Sequence, residues 1–329
     1  MTSANLDIVA IGDAIVDVIA TCDDAFLIEH DLPKGSMRVL DTAQADALYA
    51  AMGPARETSG GSAANTMAGV AAMGGRAGFV GQVANDQLGA IFTHDIRALG
   101  VDFQTPPKAD GSPTGRCLIL VTPDAQRTMN TFRGAAHELS VDALDPEQIR
   151  NAAILYLEAY LWRSAGPRGA LDEAMRIAHE AGRKVAFTLS DIACIGPHRH
   201  EIMAMLDTGA IDMLFANDAE IRALAETDDR NAAVAAIRGK VPLLVVTCGA
   251  EGAMAVQGEH EARVPIARIG KGVIDTTGAG DLFAAGFLVA QARGRSLDDS
   301  LRIGSIAAAE VISHFGARPE PGLKALVGL

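Results

Sequence analysis

Short aliphatic runs alternate along the chain with longer stretches in which apolar residues recur every three or four positions. The first pattern is that of a strand buried on both faces, the second that of an amphipathic helix. Runs at 7–12 (DIVAIG), 77–83 (AGFVGQV), 152–158 (AAILYLE), 184–190 (KVAFTLS), 212–217 (DMLFAN) and 242–247 (PLLVVT) predict strands. Helices are predicted at 63–74, 86–99, 167–182, 219–226, 280–294 and 297–313, the first closed by Gly74 and Gly75. Alternation of this kind implies an α/β fold, with a mostly parallel central sheet and helices on both faces.

Two segments break the rhythm. Residues 35–41 (GSMRVLD) and 114–132 (TGRCLILVTPDAQRTMNTF) predict short antiparallel strands, the second with a turn at Pro123-Asp124. They lie before and after the block 63–99 and are expected to form a small β-sheet lid on a single domain spanning 1–329.

Composition narrows the function classes. The net charge is −13 and no Lys/Arg cluster appears, which argues against a nucleic-acid partner. An anionic ligand must therefore be held by local devices rather than by the global field. The four cysteines, Cys22, Cys117, Cys194 and Cys248, are isolated and lack metal spacing, as expected of thiols in a reducing compartment. The N-terminus has no basic region before its apolar run, and no apolar stretch approaches bilayer length. A cytoplasmic protein without a membrane partner is the expectation.

The stretch DTTGAGD (275–281) strips side chains from a turn just where a helix begins. Free backbone N–H groups and the positive end of the helix dipole make such a turn an anion site. Asp281, an acid inside that site, suits a group that acts on a hydroxyl attacking a phosphate held by Gly278, Ala279 and Gly280. The same residues also read as an ordinary Gly-rich helix entry with an acid in its first turn. A second Gly-rich stretch, SGGSAANTMAGVAAMGG from Ser59, offers close backbone approach at Gly60 and Gly61 and a donor–acceptor side chain at Asn65. Asp13 and Asp17 follow the first strand, where open α/β sheets bind ligands. A capping or turn role is the plain alternative for each. No P-loop motif and no dinucleotide fingerprint after a strand is present.

Taken together, the stretches GGSAANTMAGVAAMGGRAGFVGQVANDQLG and DTTGAGDLFAAGF, with NDAE (217–220) and TCGAEG (247–252) between them, resemble the ribokinase-like (PfkB) carbohydrate and nucleoside kinases over nearly the whole chain. The resemblance implies an ATP- and Mg2+-dependent kinase with Asp281 as base and Gly278, Ala279 and Gly280 as backbone anion hole. It implies Asn217 and Glu220 as the phosphate- and metal-organising pair, with Glu220 acting on Mg2+ indirectly. Thr247, Gly249 and Gly252 would line ATP, and Asp17, Gly61 and Asn65 would meet acceptor hydroxyls. Asp275 and Thr277 fall where many relatives bind a monovalent cation, often K+. Glu158 is expected on the acceptor side and His314 near the nucleotide base.

The family leaves the acceptor open. The stretches at 32–41, 126–136, 155–162 and 312–319 resemble its bacterial adenosine-kinase-like branch, so a nucleoside, adenosine first, is expected, with a free sugar or sugar acid as the alternative. A base would need an apolar clamp, for which Met37, Leu40 and Phe132 are candidates. An acidic sugar would need a cation, for which Arg116 and Arg133 are candidates. The small-molecule reading is compatible with a monomer or a homodimer.

Overall fold

In the computed structural model, which describes residues 5–124, 126–268 and 272–329, the chain builds two sheets. In chain order the strands are β1 (Leu6–Ile11), β2 (Ile15–Thr21), β3 (Met37–Val39), β4 (Arg56–Gly60), β5 (Ala77–Val80), β6 (Asp102–Phe103) and β7 (Gly115–Val121). They continue with β8 (Arg127–Phe132), β9 (Ala152–Glu158), β10 (Lys184–Thr188), β11 (Met213–Asn217), β12 (Leu243–Thr247), β13 (Ala253–Gln257) and β14 (His260–Val264). The large sheet runs β14-β13-β12-β11-β10-β9-β1-β5-β6, and the small one β3-β8-β7-β2-β4. From β6 to β12 every pairing in the large sheet is parallel, and β13 and β14 add an antiparallel edge.

Alternation along each parallel strand feeds two cores. Ile8, Ala10, Ile154, Tyr156, Met213 and Phe215 face the cluster that includes residues of helices Ser62–Ala72, Ala279–Ala292 and Leu297–Val311. Val9, Ile11, Leu155, Leu157, Val185 and Phe187 face the other, formed with helices Ala165–Glu180, Ile192–Asp207 and Asp218–Ala225. The aliphatic runs are continuous because both faces are covered, as the sequence pattern implied. No helix among the described residues is long and apolar enough to cross a membrane.

The small sheet departs from expectation in two ways. Its segments 37–39 and 127–132 pair in parallel; only β7 and β8 form the antiparallel hairpin. It is also larger, because β2 and β4 complete it. Residues 15–21 (IVDVIAT), for which no strand of their own was expected, start a new strand in the other sheet after the chain turns at Gly12–Ala14. Helix Ile192–Asp207, not expected, carries Gly196 and Pro197 near its start, two residues that read as breakers.

Candidate active site

A cavity of about 370 Å³ lies where the C-terminal ends of the parallel strands meet the small sheet. Asp13 enters it just after β1, Thr188 and Ser190 from the end of β10, Asn217 from β11 and Thr247 from β12. Open α/β sheets place their ligands at this end. The small sheet supplies the facing wall. Register aligns Asp17 with Cys117, Cys117 with Thr131, and Thr131 with Val39; in the next row Ile119 aligns with Met129 and Met129 with Met37. Period-two alternation therefore puts all of these side chains on one face, and all of them line the cavity.

The side of the cavity expected to hold phosphate is the turn before helix Ala279–Ala292. Gly278 caps that helix in the left-handed region at φ +79°, and a Cβ there would lie 2.8 Å from Ala317. Gly280 is different, since a Cβ there would meet nothing within 4 Å. Asp281, in the first turn, is half-buried between two donors. Ser62 Oγ donates to its Oδ1 at 2.6 Å and Asn65 Nδ2 to its Oδ2 at 3.0 Å. Burial pushes its carboxyl above the ordinary range, against the opposing pull of Ser62, Asn65 and Arg318. Ser62 is the first residue of its own helix, so two helix N-termini converge on this one carboxylate.

The side expected to meet the acceptor is built around Asp17 and the turn at Gly60-Gly61. A Cβ on Gly60 would sit 2.5 Å from the Asp17 carboxylate, and one on Gly61, at φ +96°, 2.1 Å from the Asp13 carbonyl. Glycine is needed at both for the turn to close on the acid. Among the described residues, two buried acceptors at the cavity, Asp13 Oδ1 and Asn65 Oδ1, make no hydrogen bond. His137 Nε2 lies 3.5 Å from Asp13 Oδ1.

Burial raises the Asp17 carboxyl to about 6, opposed by Arg318, reinforced by Asp281 and opposed again by Arg127. Between roughly pH 4 and 6 the folded chain thus holds a proton that the unfolded chain has released, and the associated stability, about 3 kcal/mol, is lost as pH rises through that window. Asp17→Asn is therefore expected to raise the melting temperature of the unliganded protein more at pH 7.5 than at pH 4.5. Equal shifts at both pH values in thermal unfolding would show that Asp17 carries no such cost.

Asn217 and Glu220 form a reciprocal cap on helix Asp218–Ala225. The Asn217 N–H and Nδ2 donate to Glu220 at 2.9 and 2.7 Å, and the Glu220 N–H donates to Asn217 Oδ1 at 2.8 Å. Both residues line the cavity. Burial pushes the Glu220 carboxyl up to about 7, partly offset by the Asn217 N–H and reinforced by Asp191. A buried acid in this state lacks positive charge nearby, which fits an approaching cation.

Five expected site residues do not line the cavity. Glu158 is fully buried; its oxygens accept from the Asp13 N–H at 2.6 Å and the Ala63 N–H at 2.8 Å, so it ties the two acceptor loops together. His314 pairs with Glu310 at 3.2 Å. Gly249 and Gly252 shape the turn after β12, and at Gly252, φ +97°, a Cβ would strike the Val264 carbonyl at 2.0 Å. The Asp275 carboxylate accepts from the Thr277 N–H and Oγ, from the Gly316 N–H, and from Arg127 at 2.5 Å. Three neutral donors and a buried guanidinium leave that carboxylate unfit as the monovalent-cation ligand the resemblance implied, although Thr277 itself lines the cavity. Of the clamp candidates Met37 lines the cavity, while Leu40 and Phe132 are buried elsewhere. Arg133 lines it; Arg116 pairs with Asp46 and lies over Tyr49 and Phe132.

The pfkB family carbohydrate kinase model matches residues 5–322. The chain belongs to this family. PfkB kinases are phosphotransferases acting on sugar or nucleoside hydroxyl groups, and the family uses ATP. Among solved structures, adenosine kinase from Sinorhizobium meliloti is 46% identical, with a TM-score of 0.91 and 98% of each chain covered. A probable sugar kinase from Rhizobium etli is 43% identical, with a TM-score of 0.92 over 99% of this chain and 98% of that one. An ATP-dependent ribose-1-phosphate kinase of Halopiger xanaduensis is 30% identical, covering 81% of this chain and 84% of that protein. The chain is thus a PfkB kinase whose relatives differ in acceptor.

Proposed function

We propose that this PfkB kinase transfers the γ-phosphate of ATP to the hydroxymethyl group of a nucleoside, adenosine first. The observation that carries the acceptor class is the polarity of the cavity. One end presents hydroxyl acceptors, Asp17 with the unpartnered Asp13 Oδ1 and Asn65 Oδ1. Away from Asp17 on β2, the same sheet face turns apolar, with Met37, Val39, Ile119 and Met129 on β3, β7 and β8. A ribose bound by its hydroxyls at that end would leave its base against the apolar stretch. A free sugar would leave the apolar wall without a partner. Arg133 at the cavity, and the sugar kinases among the relatives, favour a second reading, a sugar or sugar acid as acceptor.

In the proposed reaction the γ-phosphate rests on the N–H groups of Gly278 and Gly280, since the Ala279 N–H already donates to the Thr276 carbonyl at 3.2 Å, and Asp281 aligns the acceptor hydroxyl and takes its proton as the phosphoryl group transfers. Ser62 and Asn65 each use one bond to Asp281, which keeps both its oxygens oriented. Asn217 and Glu220 are the residues that would hold Mg2+ through water, and the ion would supply neutralisation of phosphate charge.

Initial rates with ATP and Mg2+ against adenosine, 2′-deoxyadenosine, ribose, fructose and sugar acids test this reading. Loss of one hydroxyl leaves a buried acceptor unpaired, at a cost of about 1–3 kcal/mol, so 2′-deoxyadenosine is expected to fall about 10- to 100-fold below adenosine in kcat/KM. Ribose, lacking the base, is expected below both. A sugar or sugar acid phosphorylated more efficiently than adenosine overturns the nucleoside reading in favour of the second.

A further inference from the structure

The phosphate-side and acceptor-side turns open two helices that pack closely, since a Cβ on Gly69 would lie 2.6 Å from Leu282 and 2.8 Å from Ala285. Packing along the helices does not by itself fix the turns at their ends. Three consecutive residues beyond the last long helix touch both. The Gly316 N–H donates to Asp275 Oδ2 at 2.8 Å, at the start of the phosphate-side turn. Ala317 fills the space beside Gly278 that a Cβ there would need. Arg318 reaches the other turn, with Nη1 donating to the Ala64 carbonyl at 2.9 Å and Nε and Nη2 to the Ser59 carbonyl at 3.2 and 2.5 Å. Its Nη2 also donates to Ser59 Oγ at 2.8 Å.

We propose that residues 316–318 are a bracket that sets the spacing between the phosphate and acceptor turns, with Arg318 the positioning residue for Asp17 and Asp281. The bonds from Arg318 to Ser59 and Ala64 all end on neutral oxygens, so its charge is felt through space by Asp17 on β2, Asp281 in the phosphate-side helix and Asp95 in helix Gln87–Ala98. Asp95 accepts from the Ser59 N–H and Oγ at 2.8 and 2.5 Å, which holds the same turn from its far side. Arg127 on β8 also bears on Asp17, and Ser62 and Asn65 bond Asp281. Asp281 in turn bears on Glu158, Tyr156 and Tyr160. Two acids that must be ionised together in one buried cavity repel, and the Arg318 guanidinium lies where it lowers the pKa of both.

The inference rests on the roles given above to Asp17 and Asp281 and not on which acceptor is used. Steady-state kinetics and the pH profile of kcat/KM are measured for wild type, Arg318→Met and Arg318→Lys with adenosine, or with ribose if wild type ignores adenosine. That latter result is the failure of the nucleoside reading and is visible before any variant is made. Arg318→Met is expected to raise the acceptor KM about tenfold, leave the ATP KM within about twofold, and move the acid limb of the profile to higher pH. Arg318→Lys, which keeps the charge but loses the fork, is expected to raise the acceptor KM with the acid limb unmoved. An acid limb and acceptor KM like those of wild type in Arg318→Met, or equal rises in both KM values, overturn the proposal and leave Arg318 a structural residue. If Arg318→Met does not fold, an unchanged acceptor KM in Arg318→Lys overturns it.

Discussion

Asp281→Asn lowers kcat by about 10²-fold or more, the scale expected of a positioned general base, while ATP binding stays near wild type. Asparagine keeps the shape and can still accept from Ser62 at one position, so the loss reports the proton and the charge rather than packing. Burial raises this carboxyl, so kcat/KM is expected to drop as pH falls through its pKa, and to do so at higher pH than an exposed aspartate would dictate. The variant should lose that limb along with its rate. Stopped assays of phosphorylated acceptor, with ATP affinity measured separately by calorimetry, distinguish the outcomes. Turnover close to wild type in Asp281→Asn would remove this residue from the chemistry and leave it as the carboxylate that joins two helix starts.

Much of this site was legible because its chemistry is local. The turn at 275–281 and the Gly60-Gly61 turn each place glycines against a helix start, and a helix start is a signal in sequence. The Asn217 and Glu220 pair is a capping box, again a short-range pattern. What escaped was long-range or disguised. Arg318 acts on Ser59 and Ala64, 259 and 254 residues away, and nothing near residue 318 announces those targets. Arg127, likewise, meets Asp275 from the opposite sheet. Strand β2 was hidden because its run is apolar at nearly every position, leaving no alternation to mark where one sheet ends and the other begins. Glu158 ends β9 as expected, but a strand end at this edge can be solvated or sealed, and only tertiary structure shows the two loop N–H groups that claim it.

Gly280→Val is expected to abolish measurable turnover, a loss of about 10³-fold or more, in a protein that folds as before. The physical ground is the contrast between two glycines of one turn. At Gly278 the backbone is left-handed and a Cβ would strike Ala317, so any substitution there strains the fold and reports on stability. At Gly280, the second residue of its helix, a Cβ meets nothing within 4 Å, and the residue lines the cavity. Valine is accepted by the protein at that point, since it exceeds glycine in helix propensity by a few tenths of a kcal/mol. Its two methyl groups then stand where a phosphate must approach backbone N–H groups, and removal of one such donor alone is worth about 10²–10³ in rate. Circular dichroism and melting temperature near wild type, with phosphoryl transfer lost, are the expected pair of results. A folded Gly280→Val enzyme that still transfers phosphate at the wild-type rate would mean that the phosphate binds elsewhere, and that the 278–280 turn serves only to start the helix.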